Sequence, residues 1–117
     1  MMLENGSDMP DFYELFSGGG MARLGLGPGW RCLLANDFSA KKVQAYRTNF
    51  PPAEELIHGD IFNLTTGDLP GQADLAWASF PCQDLSLAGK QKGLSGERSG
   101  SFWGFWRLMQ QLQEEGR

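Results

Sequence analysis

Four short apolar runs punctuate this chain, and each stops at a residue with chemistry to offer. "DFYELF" runs into a serine and three glycines, "WRCLLAN" into Asp37, "LIHGD" onto Asp60, and "ADLAWASF" into Pro81 and Cys82. Stretches of helical periodicity lie between them. "SGGGMARLGLG" reads as a glycine turn leading into a short helix, with Met21, Leu24 and Leu26 facing inward. "SAKKVQAYRTNF" places Val43, Tyr46 and Phe50 near helical spacing and is closed by Pro51-Pro52. "SFWGFWRLMQQLQEE" sets Phe102, Phe105, Trp106, Met109 and Leu112 on one face. Strands alternating with helices predict an α/β fold: a parallel sheet with right-handed crossovers and flanking helices. Ligands of such sheets bind beyond the carboxyl ends of the strands. The glycines, Asp37, Asp60 and Cys82 are all expected at that one rim.

The chain has 117 residues, room for one small domain and one core. No run approaches the roughly 20 apolar residues of a membrane helix. The opening "MMLENGSDMPD" has neither the basic n-region nor the apolar h-region of a signal peptide. Residues 1–10 read as a disordered tail and residues 11–117 as the folded unit. Cys32 and Cys82 are the only cysteines. Two are no disulfide framework, so a reducing, cytoplasmic setting is the expectation. A net charge of −4 suits stand-alone nucleic-acid binding poorly, because phosphate contacts need clustered Lys and Arg.

The segment "LFSGGG" lets backbone N–H groups approach a ligand with no side chain between. An ordinary strand-to-helix turn has the same form. The dinucleotide pattern G-x-G-x-x-G fails, since Gly18 and Gly20 are followed by Arg23 at its third position. Asp37 lies about 20 residues on, where an acid holds a ribose diol. A helix-capping acid belongs there too, and Ser39 is a second capping candidate. Asp60, before "IFNL", carries the same two readings. Two acids after neighbouring strands suit an adenosine group, one accepting from the ribose hydroxyls and one from the adenine amino group. No phosphate-cradling lysine stands in the glycine turn. A nucleoside with a non-phosphate tail, such as S-adenosylmethionine, therefore fits better than a nucleotide.

A lone cysteine is usually a small buried hydrophobe, and Cys32, in mid-strand, takes that reading. Cys82 follows Pro81, which fixes the backbone before it, and opens a polar loop at the ligand rim. A held, partly exposed thiol is expected there. The zinc-deaminase pattern H-x-E with P-C-x-x-C fails: His58-Gly59-Asp60 has the shorter acid and Leu85 replaces the second thiolate, so no metal is expected. A cysteine hydrolase needs a histidine partner, and His58, the sole histidine, ends a different strand.

These residues carry a resemblance. "DFYELFSGGGMARLGL" looks like the cofactor loop of cytosine-C5 DNA methyltransferases, "LLANDFSAKKVQAYRTNFP" like their acidic second-strand segment, and "HGDI" like their third. "SFPCQDLSLAGKQKGLSGERSGSFW" is similar to their Pro-Cys-Gln nucleophile segment and mobile loop. Order and spacing agree from about Asp11 to the carboxyl end, so the chain resembles the amino-terminal part of that family's catalytic domain. The resemblance implies a Rossmann-like fold of the S-adenosylmethionine-dependent methyltransferase type, here incomplete. It implies that Cys82, as thiolate, adds to C6 of a cytosine flipped out of double-stranded DNA. C5 then takes the methyl group, and loss of the C5 proton expels the thiol. Phe16, Ser17, Gly18 and Gly20 would approach the methionine and adenosyl groups. Asp37 would hold the ribose, with Phe38 on or beside the adenine. Asp60 would take the adenine amino group, with Ile61 beside it, and Pro81 would line the pocket. The loop from Gln83 to Gly100, with Lys90, Lys92 and Arg98, would close over the DNA.

Three positions depart from the family pattern. Met21 stands where a second glycine is usual, Asp37 is shorter than the frequent Glu, and Ser101 replaces a common leucine against the cofactor. Larger parts are absent: the Glu-Asn-Val segment whose acid meets cytosine N3, an arginine-containing segment, the target-recognition region and a final helix walling the cofactor. Glu4-Asn5-Gly6 is no substitute, because it lies before the first strand. The expectation is a truncated piece, or a split enzyme completed by a carboxy-terminal polypeptide, inactive alone. Its setting would be the bacterial cytoplasm or nucleoid, with a restriction-modification or regulatory role. Two other readings stay open: a tRNA cytosine-C5 methyltransferase with the same nucleophile segment, and a non-catalytic half-domain that binds cofactor or partner.

Overall fold

The computed structural model describes residues 9–80 and 100–117. In chain order it runs β1 (Asp11–Leu15), α1 (Met21–Leu26), β2 (Arg31–Asp37), α2 (Ala40–Asn49), β3 (Leu56–His58), β4 (Leu75–Ala78) and α3 (Gly100–Glu114). Two short 3-10 turns, Ile61–Asn63 and Thr66–Asp68, lie between β3 and β4. The strands form one parallel sheet in the order β3-β2-β1-β4. The chain steps outward from β1 to β3, then crosses back to add β4 on the far side of β1. That reversal puts the topological switch point between β1 and β4, the place where open α/β sheets leave a crevice for ligands. The parallel sheet expected from the alternation is the one found, of the Rossmann-like kind that the resemblance implies.

Both faces of the sheet are covered, which is why its strands read as nearly unbroken apolar runs. On one face, Tyr13, Leu15 and Leu34 pack with Ile61, Leu64 and Leu69 of the crossover and with Leu108 and Leu112 of α3. On the other, Ala35 packs with Tyr46 and Ala53, flanked by Cys32, Phe50 and Leu56. Each fully buried side chain among these contributes about 1.5–3 kcal/mol by leaving water. Helix α2 forms as its sequence predicts. Ser39 caps it by accepting from the Lys42 N–H at 3.3 Å, and Val43 and Tyr46 are its buried positions.

Helix α1 corrects an expectation. Met21 and Leu24 do not face inward; they are 74% and 66% exposed, Leu26 is half-buried, and the helix buries no residue at all. Six residues are too few to present an apolar stripe, and α1 is held by polar contacts instead. The Arg23 guanidinium donates to the Tyr46 hydroxyl at 2.9 Å and the Glu55 carboxylate at 2.7 Å, and lies 4.5 Å from the centre of the Phe50 ring. The helix has no side-chain cap in its own turn. The Glu14 carboxylate, from β1, accepts from the Ala22 N–H at 3.1 Å and stands in for one.

Helix α3 corrects another. The seam against the crossover is Gly104, Leu108 and Leu112, with Phe105 and Met109 beside it; Trp106 is 47% exposed. The pivot is Gly104. A Cβ there would stand 2.8 Å from Ile61 Cγ2, so only glycine lets the helix lie this close to the 61–63 turn. That close approach rotates Trp106 out of the interface.

Candidate cofactor site

The residues leaving β1 are held in conformations that side chains rarely adopt. Phe16 has φ +55°, Gly18 φ +55° and Gly20 φ +89°. For Phe16 the left-handed conformation costs about 1–2 kcal/mol. Its ring is held against Phe80, centroids 5.1 Å apart. Phe80 in turn contacts Phe102 at 5.5 Å and Phe105 at 5.4 Å. An aromatic ladder thus ties the glycine turn to the end of β4 and to α3. The three turn glycines are not equivalent. At Gly18 the backbone conformation asks for glycine, since a Cβ would meet nothing within 4 Å. At Gly20 space decides as well: a Cβ would sit 2.3 Å from the Phe50 ring.

At the end of β2, the Asp37 carboxylate accepts from the Gly18 N–H at 2.8 Å through one oxygen and from the Ser39 N–H at 2.9 Å through the other. Asp37 thus organises the start of α2, and it also lines a cavity. At the end of β3, Asp60 caps the 61–63 turn through one oxygen, accepting from the Phe62 N–H at 2.9 Å. The cavity, about 500 Å³, lies at the carboxyl ends of the strands. It brings together Phe16, Asp37, Phe38, Asp60 and Ile61. Phe38 stands on the rim, 72% exposed. Ser101, at the start of α3, closes another side.

Not every expected site residue lines this cavity. Gly18 and Gly20 lie outside its wall, engaged with Asp37 and Phe50 respectively. Ser17 is 4% exposed, and its hydroxyl has no partner among the described residues. Pro81, Cys82 and the loop that follows, including Lys90, Lys92 and Arg98, lie outside the described residues. The wall also contains Asn36, Lys42, Ser79 and Phe80, which sequence reasoning did not single out. For Asn36 a signal existed, an amide side chain inside an apolar run. For Lys42 and Ser79 nothing separates them from surface residues.

Away from the cavity, Cys32 behaves as its mid-strand position predicts. Burial pushes its thiol up to about 11, and the sulfur rests 3.7 Å from the Tyr46 hydroxyl. The His58 Nε2 lies 3.0 Å from the Phe38 carbonyl. Among the described residues no three His, Cys, Asp or Glu side chains cluster to hold a metal. None of their helices is long and apolar enough to cross a membrane.

A family model described as "C-5 cytosine-specific DNA methylase" matches residues 11–114. The chain belongs to this family. Curated members similar to it include the type II methyltransferase M.NgoFVII of Neisseria gonorrhoeae, 36% identical over 110 residues, covering 92% of this chain and 29% of the relative. M.HhaI of Haemophilus parahaemolyticus is 34% identical over 101 residues, covering 86% of this chain and 30% of the relative. Among solved structures, the S. pombe Dnmt2 methyltransferase matches with a TM-score of 0.59 and 26% identity, over 85% of this chain and 31% of that one. The chain therefore spans about three-tenths of the length of these relatives. Family and fold imply S-adenosylmethionine as the methyl donor in general.

Proposed function

We propose that this chain supplies the cofactor-binding wall and the nucleophile of a DNA (cytosine-5-)-methyltransferase, with residues 11–117 as the amino-terminal part of its catalytic domain. The observation that carries this is the cavity at the strand ends, which joins Asp37, Phe38, Asp60 and Ile61 to Phe80, two residues before Cys82 in sequence. Its volume of about 500 Å³ lies within the range of ligand clefts. Two carboxylates and an exposed aromatic ring fit an adenosyl group, which offers a diol, an amino group and a flat face.

In this proposal Asp37 accepts from the ribose hydroxyls and Asp60 from the adenine amino group, with Phe38 and Ile61 flanking the base. Phe16, Ser17, Gly18, Gly20 and Pro81 border the donor's methionine end. S-adenosylmethionine, when bound, supplies the methyl group. The Cys82 thiolate adds to C6 of a cytosine flipped out of duplex DNA, and that bond turns C5 into a nucleophile. Loss of the C5 proton after methylation returns the electron pair to the ring, and the sulfur leaves. The match to a DNA methylase family supports DNA over tRNA as the substrate.

A further polypeptide segment belongs to the proposal, as the source of the acid that would meet cytosine N3. Support comes from β4, which ends the sheet among the described residues, and from the exposed rings of Trp77, Trp103 and Trp106. The deciding experiment is covalent trapping with DNA containing 5-fluorocytosine, S-adenosylmethionine and the remaining segment. The wild-type chain should form a denaturant-resistant adduct and Cys82→Ser none. An adduct that survives the substitution assigns the nucleophile elsewhere.

A further inference from the structure

The two acid-bearing loops are not independent. Asn36 in β2 is 1% exposed, and its Nδ2 donates to the Ile57 carbonyl at 2.8 Å and the Gly59 carbonyl at 3.0 Å, both on the β3 side. In the other direction, the His58 ring in β3 reaches the Phe38 carbonyl at 3.0 Å on the β2 side. One backbone bond, Gly59 N–H to the Asp37 carbonyl at 3.0 Å, lies between them. β3 is only three residues long and pairs with β2 through Leu56, Ile57 and His58. So short a terminal strand holds its following loop weakly. An amide buried in an apolar strand costs stability unless its hydrogens are placed. Here both go to the carbonyls flanking His58, two residues before Asp60.

We propose that Asn36 and His58 are positioning residues that lace the ends of β2 and β3 together and so fix Asp37 and Asp60 at one separation. A ligand with donors at both ends then meets both carboxylates at once, without ordering either loop on arrival. This rests on the adenosyl site proposed above, and it gives Asn36 and His58 no contact with the reacting atoms.

The test compares Asn36→Ala, His58→Ala and His58→Gln with the wild-type chain. One readout is calorimetric affinity for S-adenosylhomocysteine, and the other is the backbone amide spectrum of the free protein. The Gln amide nitrogen can occupy the place of the imidazole Nε2. Asn36→Ala should weaken binding by about tenfold or more, and His58→Ala by several-fold, for the loss of two hydrogen bonds and one. His58→Gln should return to within about threefold of wild type. The Gly59 and Asp60 amides should shift in free Asn36→Ala while those of α3 stay in place. Leu112→Ala, in the core on the sheet face lined by Tyr13 and Leu34, controls for stability alone. Lacing is overturned if Asn36→Ala and His58→Ala bind as wild type does. Equal weakening by Leu112→Ala at a matched melting temperature overturns it too. Should the wild-type chain bind no S-adenosylhomocysteine, the adenosyl site fails, and the amides judge the lacing alone: unshifted signals overturn it, shifted ones support it.

Discussion

The Asp37 carboxylate and the Gly18 amide are hydrogen-bonded at 2.8 Å, so the loop after β1 and the loop after β2 are fastened to each other within the chain itself. The same carboxylate fixes the Ser39 N–H that opens α2. A residue proposed to meet a ligand thus has a structural role as well, and the two can be separated. Asp37→Asn keeps the shape but turns one acceptor into a donor facing an N–H. It should lower stability by about 1–3 kcal/mol, the cost of an unpaired buried donor. It should also abolish measurable binding of an adenosyl ligand. Asp60→Asn, whose carboxylate serves only a 3-10 turn, should cost less stability and weaken the same binding. Denaturant titration alongside calorimetry checks both; equal stability losses at the two positions would contradict the difference in roles.

The glycines of the turn predict unequal penalties. Gly18→Ala places a methyl in open space at φ +55°, so only the left-handed conformation is penalised, by about 1–2 kcal/mol. Gly20→Ala meets the same conformational cost and drives a Cβ into the Phe50 ring, adding about 1–3 kcal/mol of overpacking. Adding Phe50→Ala to Gly20→Ala should recover the overpacking part and leave the conformational part, a coupling that a double-mutant cycle measures.

Glu14 predicts a pH dependence with a definite sign. It is 1% exposed, and burial raises its carboxyl from 4.5 to about 6, partly offset by the N–H groups of Ala22 and Arg23. A group whose folded pKa lies above its unfolded one holds its proton more tightly when folded. Its stabilising contribution is full below pH 4.5 and is lost as pH rises through about 6, a change of about 2 kcal/mol. Unfolding free energies of wild type minus Glu14→Gln, measured from pH 4 to 7, should fall across that window. A flat difference would place the titration elsewhere.

The two cysteines should differ in reactivity. With its thiol pushed up to about 11 and half-buried beside Tyr46, Cys32 carries almost no thiolate at pH 8. Iodoacetamide should leave it unmodified in the folded chain and alkylate it on unfolding. Cys82, in the proposed role, should take the label first, and Cys82→Ser should leave the folded chain unlabelled, as peptide mapping by mass spectrometry would show.

Much of the rim was legible because two independent patterns coincide there. Apolar runs of strand length mark where β1 to β4 end, and acids or glycines stand at the ends of the first three, so Asp37 and Asp60 could be placed together without knowing any contact. Facing directions were less legible. Met21 and Leu24 are apolar at helical spacing, yet nothing in their neighbourhood states that Arg23 would anchor α1 through Tyr46 and Glu55, some 20 to 30 residues away in sequence. In α3 the aromatic side chains are bulkier than Gly104 and Leu108 and draw a sequence reading toward themselves. The absence of a side chain at Gly104 nonetheless sets which way the helix turns. Phe80 was passed over because a phenylalanine at the end of an apolar run looks like more of the run. Its ring contacts come from two distant segments, Phe16 after β1 and Phe102 and Phe105 on α3.

The carboxylate of Glu14 serves the first turn of α1 from below, out of the strand and not out of the bend that leads into it. Ser17, Gly18 and Gly19 are thereby excused from that duty. A change at Ser17 or Gly19 would leave that footing in place, whereas a change at Glu14 would take it away.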